Sequence, residues 1–408
     1  MKLVVVCPHF APDIAPTGTV MTTIVHELAA RGHTLHVVTA LPWYREHAIE
    51  AGWGGRLWRV ESTPWGSITR VHPFPGASKS NLVRRAVGFL LFSVLVAWRG
   101  LIAGGFLSKV DGVIAMSPPL TLGLTGRIIA SCRRGRLVFN IQDVFPDAAI
   151  TTGAITHRGI IAVASWLERV SYRASDTVVV LSDDLADNVR AKVARSRRGS
   201  VVVIPNFVDT TAIRPMPRTT GYRAELGIGD GVVVMYAGNV GFSQSLETVV
   251  EVARRMPSVT FVINGDGSAR DSLMRSASGV GNVIFSGYQP LERLSEVLAT
   301  GDIHVVPLRA GLARVSVPSK TYSILAAARP VVAAIDPGTE IPRLLERARA
   351  GVAVSPDDAG ALHVAIEELV GSAPMREELG RNGRSWVEAN ASPSAVARAY
   401  EGLFLADR

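Results

Sequence analysis

Lys320, beside Ser319 in "VPSKTYSILAAARPVV" (317–332), is the residue whose type and place most invite chemistry. Ser319 reads as an N-cap, 319–327 as a short helix, and Ala328-Arg329-Pro330 as its end before a strand at 331–334. A cation in a first helical turn meets the positive end of the helix dipole, where it is mildly unfavourable. Only five of the 43 lysines and arginines are lysines, so one placed here asks for a reason. An anion at the helix start supplies it. A nucleoside diphosphate leaving in a group transfer would be stabilised by ammonium and dipole together as its charge develops. The plain alternative is a solvated first-turn lysine. No carboxylate pair at useful spacing points to glycoside hydrolysis, and no residue cluster has metal-ligand spacing.

Three glycine loops are candidates to approach the same anion. Gly18 in "PHFAPDIAPTGTV" opens a helix after the first strand, where a missing side chain lets a ligand near the backbone; a simple loop glycine reads equally well. "YAGNVGFSQSLETVV" runs strand, glycine-rich turn, helix, with Gly238, Asn239 and Gly241 at the junction. That order suits an anion on amide N–H groups, although it is neither a dinucleotide fingerprint nor a P-loop. Gly265-Asp266-Gly267 follows the next strand and, taken alone, reads as a turn. Each signal is weak alone, and their recurrence at successive strand ends carries more weight.

The elements that must hold these loops are legible as apolar runs. Strands are expected at 2–7, 34–40, 112–117, 136–141, 177–182 and 201–205, then again at 232–238, 259–265, 283–287, 303–308 and 330–334. Several runs are continuous rather than alternating, as for parallel strands covered on both faces. The Pro-, Gly- and Thr-rich stretch after 205 reads as a linker. The resulting expectation is α/β, with two doubly wound parallel sheets whose strand ends face a cleft. The domains are expected at 1–205 and 206–385, with a helix at 386–408 packing back towards the first.

At 408 residues, with 48% hydrophobic and 19% charged residues, the chain suits two globular domains. Two unpaired-looking cysteines, Cys7 and Cys132, and an N-terminus that begins as a strand suggest a cytoplasmic protein. The net charge of +8 comes without a nucleic-acid motif, so nucleic acid is not expected as a partner. Anionic lipid is the better candidate. Arg84-Arg85 precede "AVGFLLFSVLVAW" (86–98), thirteen residues without a charge. That is short for a membrane span and fits either an ordinary buried helix or one lying in the membrane surface.

The segments "SPPLTLGLTGRIIA", "QDVFPDAAI", "LERVSYRASDTVVVLSDDLADNV", "VVVIPNFVD", "YAGNVG", "NGDG" and "VPSKTYSILAAARPVVA", in this order, resemble family 4 glycosyltransferases. The likeness covers nearly the whole chain and is nearest to the bacterial surface-polysaccharide branch of colanic-acid and O-antigen type, including N-acetyl-fucosamine transferases. It implies the GT-B architecture of two Rossmann-like domains, with the donor held mainly by the second. It also implies retention of anomeric configuration without a metal ion. Taken with Lys320, the glycine loops and the 86–98 stretch, it leads to the expectation of transfer from a nucleotide-sugar co-substrate, a UDP-sugar, to a lipid-linked acceptor at the cytoplasmic membrane face, with no other cofactor. By position, Gly18, Gly238 and Asn239 would lie near the diphosphate and Gly265-Asp266-Gly267 beside the nucleoside. Backbone near Tyr288-Gln289 would hold the base, and Ser319-Lys320 the phosphates. Asp143 and Asp147 match the acidic positions of the D-x-x-P-[ED] stretch; Asp143 would position an acceptor hydroxyl, or simply cap its loop. Two glutamates usual in the wider family are replaced by Val315 and Ser323, and Ala328 stands for a common glycine. A serine can reach one ribose hydroxyl but cannot clasp two. Arg309 or Arg314 would have to compensate for a missing basic pair. A catalytically degenerate GT-B scaffold and a UDP-sugar 2-epimerase of similar architecture are the alternatives.

Overall fold

Continuous apolar runs become buried parallel strands because both faces of each sheet are covered by helices. The computed structural model describes residues 1–45, 48–74, 82–147, 157–313 and 317–405. Arg314 and Val315 lie outside the described residues. The chain forms two units, Met1–Asn206 with Val396–Arg408, and Phe207–Ala395.

The first unit is built on eight strands: β1 (Lys2–Val6), β2 (Thr34–Ala40), β3 (Trp58–Thr63), β4 (Gly66–Val71), β5 (Gly112–Ser117), β6 (Arg136–Ile141), β7 (Thr177–Val180) and β8 (Val201–Val203). Their order is β3-β4-β2-β1-β5-β6-β7-β8, all parallel except the β3–β4 hairpin at one edge. That hairpin was not among the expected strands. β3 reads "WRVEST" and is largely exposed, so it lacks the apolar run that marks the buried strands. The second unit has β9 (Val233–Ala237), β10 (Thr260–Asn264), β11 (Val283–Ser286), β12 (Ile303–Pro307), β13 (Val331–Ala334) and β14 (Gly351–Val354). Their order is β11-β10-β9-β12-β13-β14, wholly parallel, with register such as Val262 opposite Met235 and Val305 opposite Val332. The four-residue β14 was also missed, being too short and too thinly apolar to stand out.

In the second sheet the strand order reverses between β9 and β12, and in the first between β1 and β5. Ligands of open α/β sheets bind outside the carboxyl ends of the strands at such a switch point. The expected single helix over 386–408 is two helices, Ala373–Asn390 and Pro393–Leu405, because Ser392 and Pro393 interrupt the run. The second of these closes the first unit. Asn140 Nδ2 donates to Tyr400 Oη at 2.5 Å, and Glu401 pairs with His33 at 2.9 Å. Phe404 lies where any side chain at Gly112 would stand, 2.1 Å from its Cβ.

Candidate functional site

The loops after β9, β10, β11 and β12 meet at the second sheet's switch point. Lys320 begins the helix Lys320–Ala326, and its Nζ lies 3.9 Å from the Tyr236 ring centroid. It donates to Tyr236 Oη at 2.6 Å, and that hydroxyl in turn donates to the Asn239 carbonyl. Among the described residues no carboxylate pairs with this ammonium. Burial pushes its pKa down to about 8, and the same burial raises that of the Tyr236 phenol. A desolvated cation without a counter-charge is costly, and an incoming anion removes the cost.

The glycines make room for this arrangement. Gly238 has φ +142°, and a Cβ there would stand 2.8 Å from Lys320 Nζ. Gly265 is stricter: its Cβ would be 1.9 Å from the Gly238 carbonyl oxygen, a clash with backbone that cannot swing away. The Asn239 side chain sits between Gly241 and Gly267, 2.9 Å and 2.7 Å from where their Cβ atoms would lie. Val240 N–H donates to the Asp266 carbonyl at 2.9 Å, and Tyr288 Oη donates to the same carbonyl at 3.2 Å. The Asp266 carboxylate accepts the Gly267 N–H at 2.7 Å, closing its own turn. Gly238, Asn239, Gly265, Asp266, Gly267, Tyr288 and Lys320 therefore form one connected surface. Gln289 is next along the chain, its amide oxygen taken by Arg293 at 3.3 Å.

Two expectations about the lysine segment need correction. Ser319 occupies the N-cap position but has helical backbone angles, φ −59° and ψ −25°, and its hydroxyl caps no amide. The helix has only seven residues, so attraction for an anion rests on the ammonium rather than on a long dipole. Ser323, one turn on, is half-buried and its hydroxyl makes no hydrogen bond among the described residues. Arg309 is already engaged, donating to the Phe242 carbonyl and pairing with Glu247 at 3.5 Å. The loop it belongs to is fixed by carboxylates: Ala310 N–H donates to Asp357 at 3.0 Å and Gly311 N–H to Asp336 at 2.8 Å. Tyr236 escaped the sequence reading because a single tyrosine in an apolar strand resembles core; its position two residues before Gly238 was the available signal.

The remaining candidates belong to the first unit. Gly18 lies inside the helix Pro16–Ala30, and a Cβ there would stand 2.9 Å from His9 Cβ. The glycine thus serves contact between helix and loop. Asp143 is exposed and accepts no hydrogen bond among the described residues, so it does not cap its loop. Asp147 is occupied, receiving Lys192 Nζ and Asn188 Nδ2, each at 2.8 Å. Burial raises its pKa, and those two hydrogen bonds outweigh it and hold the carboxyl below its ordinary value.

The charge-free stretch 86–98 lies in the helix Leu82–Ile102. Among the described residues no helix is long and apolar enough to cross a membrane. The helix is not simply buried either: Phe92, Ser93 and Val96 face the core, while Val87, Leu90, Leu91, Val94 and Trp98 are exposed. It packs on the helix Thr121–Cys132, where Ser93 Oγ donates to Thr121 Oγ1 at 2.7 Å. That helix packs on Arg158–Ala174, whose Ser171 Oγ donates to the Leu120 carbonyl at 3.1 Å. Arg158–Ala174 exposes Val163 and Trp166 beside Arg158, Arg169 and Arg173. Glu168 is the only carboxylate in these three helical sequences, and it is buried against Lys192 at 2.7 Å.

Residues 17–206 match the model of the glycosyl transferase 4-like domain, and residues 231–372 that of glycosyl transferases group 1. The putative colanic acid biosynthesis glycosyl transferase WcaI of Escherichia coli K12 is 27% identical, over 91% of this chain and 92% of its own length. The probable glycosyltransferase WbjE of Pseudomonas aeruginosa is also 27% identical, over 72% and 74%. Among solved structures, sucrose-phosphate synthase from Thermosynechococcus elongatus superposes with TM-score 0.69 at 17% identity, and HepE of Anabaena in complex with UDP with 0.67 at 15%. Both cover all of this chain and all of their own, and at such identities they show the shared fold. With a 4-like domain followed by a group 1 domain, the chain belongs to the family 4 glycosyltransferases of GT-B architecture.

Proposed function

We propose that the enzyme transfers a sugar from a UDP-sugar to a lipid-linked saccharide during assembly of a cell-surface polysaccharide, with retention and without a metal or other cofactor. The observation that carries this reading is Lys320, an ammonium held at a switch point against Tyr236 and Gly238 with no carboxylate partner among the described residues. A diphosphate there gives the charge its partner, and the interaction grows as the leaving group takes up charge. The Gly238–Asn239 and Gly265–Gly267 loops supply close backbone approach. The HepE complex with UDP supports the choice of base, and the name of the E. coli relative supports the polysaccharide. The arginine-flanked apolar faces of the helices Leu82–Ile102 and Arg158–Ala174 suit work on a lipid-linked acceptor at an anionic, cytoplasmic membrane surface.

The test is a panel of nucleotide sugars with the purified chain. A donor at about 100 times its Kd stabilises the site by about 2.7 kcal/mol, raising the melting temperature by about 5–10 °C. Failure of every donor to do so would refute the proposal. A second reading, a degenerate scaffold, is favoured by one observation, the unpartnered Ser323 where a carboxylate is usual. Lys320→Ala separates the two: an enzyme loses about 10²–10³ in transfer rate, whereas a scaffold leaves polysaccharide assembly in cells unchanged.

A further inference from the structure

Tyr236 is the one polar side chain of β9, "VVMYA", and it is 1% exposed. A hydroxyl so deeply buried needs partners, and this one has two. It donates to the Asn239 carbonyl and accepts Lys320 Nζ at 2.6 Å. The ammonium lies nearer to that oxygen than to the ring centroid, which is 3.9 Å away. Glycine at 238 leaves it the room, since a Cβ there would stand 2.8 Å from Nζ. Hydroxyl, ring and glycine together fix where one cation stands. An ammonium carries three N–H donors, and the other two make no hydrogen bond among the described residues.

A carboxylate in place of the phenol would hold the ammonium too, but it would cancel the charge that a diphosphate has to meet. A neutral hydroxyl holds without cancelling. Burial keeps the phenol neutral by raising its pKa. The bond to the Asn239 carbonyl adds a second effect, because it ties the same oxygen to the turn that follows β9. Lysine and turn are thereby held at one spacing.

We propose that Tyr236 is a positioning residue for the leaving diphosphate: its hydroxyl holds the Lys320 ammonium over the Gly238–Asn239 turn and leaves the charge free for the phosphates. This rests on the reading of Lys320 as the partner of a nucleoside diphosphate. Tyr236 itself touches no substrate in this role. Few other ionisable groups come near the ammonium. Tyr288, in the loop after β11, bears on the Tyr236 phenol and donates to the Asp266 carbonyl at 3.2 Å. His304, on β12, is buried and turned to the Leu298 carbonyl at 2.9 Å, and β13 carries no ionisable residue. On the lysine's own helix, Tyr322 faces Trp386 of the helix Ala373–Asn390. Arg384 of that helix donates to the Ala326 carbonyl at 2.6 Å, at the far end of Lys320–Ala326.

The experiment is equilibrium dialysis of the full chain against radioactive UDP and, separately, radioactive uridine, at pH 6 and pH 9. Wild type is compared with Tyr236→Phe, Lys320→Met and the double variant, with a melting curve for each. Phenylalanine keeps the ring and removes only the hydroxyl. A hydrogen bond to the charged form favours that form, so its loss makes the free ammonium give up its proton about one pH unit earlier, the low end for a bond to a charge. Tyr236→Phe should therefore bind UDP within about threefold of wild type at pH 6 and about tenfold more weakly at pH 9. Uridine, which lacks the phosphates, should bind both proteins equally. In the Lys320→Met background the loss of the hydroxyl should change UDP affinity by less than twofold, because the group through which it acts is gone. An equal loss of UDP affinity at both pH values, a parallel loss for uridine, or a variant that no longer folds shows a hydroxyl that serves packing and overturns the proposal. A Tyr236→Phe protein that follows wild type at both pH values overturns it while leaving Lys320 as the diphosphate's partner. A wild type that binds UDP no more tightly than uridine, or binds neither, overturns both.

Discussion

Donor affinity should fall steeply as the pH rises through 8, and Lys320 is the reason. Its ammonium is desolvated over Tyr236 and titrates at about 8 in the free protein, against 10.5 for an ordinary lysine. A diphosphate binds the ammonium, not the amine, so binding requires the proton to be present. With a free-state pKa of about 8, the charged fraction drops from about nine-tenths at pH 7 to about one-tenth at pH 9, which weakens apparent affinity about tenfold, or about 1.4 kcal/mol. The bound lysine, facing phosphate, keeps its proton across this range, so donor binding at pH 8–9 takes up a proton. Titration calorimetry of UDP between pH 6.5 and 9.5, in two buffers of different ionisation enthalpy, measures affinity and proton uptake together. Lys320→Met should bind about ten- to a hundredfold more weakly at pH 7, the cost of one charge-assisted hydrogen bond, and should lose the pH dependence. Folding responds with the opposite sign. Because the folded pKa lies below the unfolded value, the unfolded chain holds the extra proton between about pH 8 and 10.5, and the second unit gains stability across that window. An affinity flat from pH 7 to 9.5 in wild type, with no proton uptake, would refute the placement of the diphosphate against this lysine.

Two further outcomes are expected. Ala328 ends the Lys320 helix at φ +55°, a left-handed conformation that costs an alanine about 1 kcal/mol. Ala328→Gly should therefore raise the melting temperature of the second unit by about 2–4 °C in a thermal scan, and a lower value would mean that the alanine methyl contributes packing that outweighs the strain. For the first unit, vesicles containing phosphatidylglycerol should sediment the protein in low salt and release it as ionic strength rises. Trp98→Ser with Trp166→Ser should abolish sedimentation, and a double variant that still sediments would show that these two helices are not the contact surface.

The difference between what the sequence told and what it hid follows from how each feature is encoded. The buried strands were legible because burial on both faces demands an unbroken apolar run, as in Lys2–Val6 and Val233–Ala237. The β3–β4 hairpin was not, since an exposed edge pair is written in alternation and a turn at Pro64-Trp65, both weaker signals. Lys320 was legible because a cation at a helix start is locally unfavourable, and a locally unfavourable residue points to something outside its own segment. The same reasoning fails for Tyr236. It violates no local rule and acquires meaning only from a partner distant in sequence, Lys320 across 84 positions. Glycines stand between these extremes. Gly238 and Gly265 looked like ordinary turn residues, and the sequence offered their recurrence at strand ends and nothing more. In three dimensions the carbonyl of one occupies the space a side chain on the other would need. Gly18 corrects the inference in the other direction. It stood in the expected place for a ligand-contacting glycine, yet the atom that excludes its side chain is His9 Cβ. A glycine in a strand-end loop therefore marks close approach without naming what approaches, and only the identity of the excluded atom tells a ligand's neighbour from the protein's own packing.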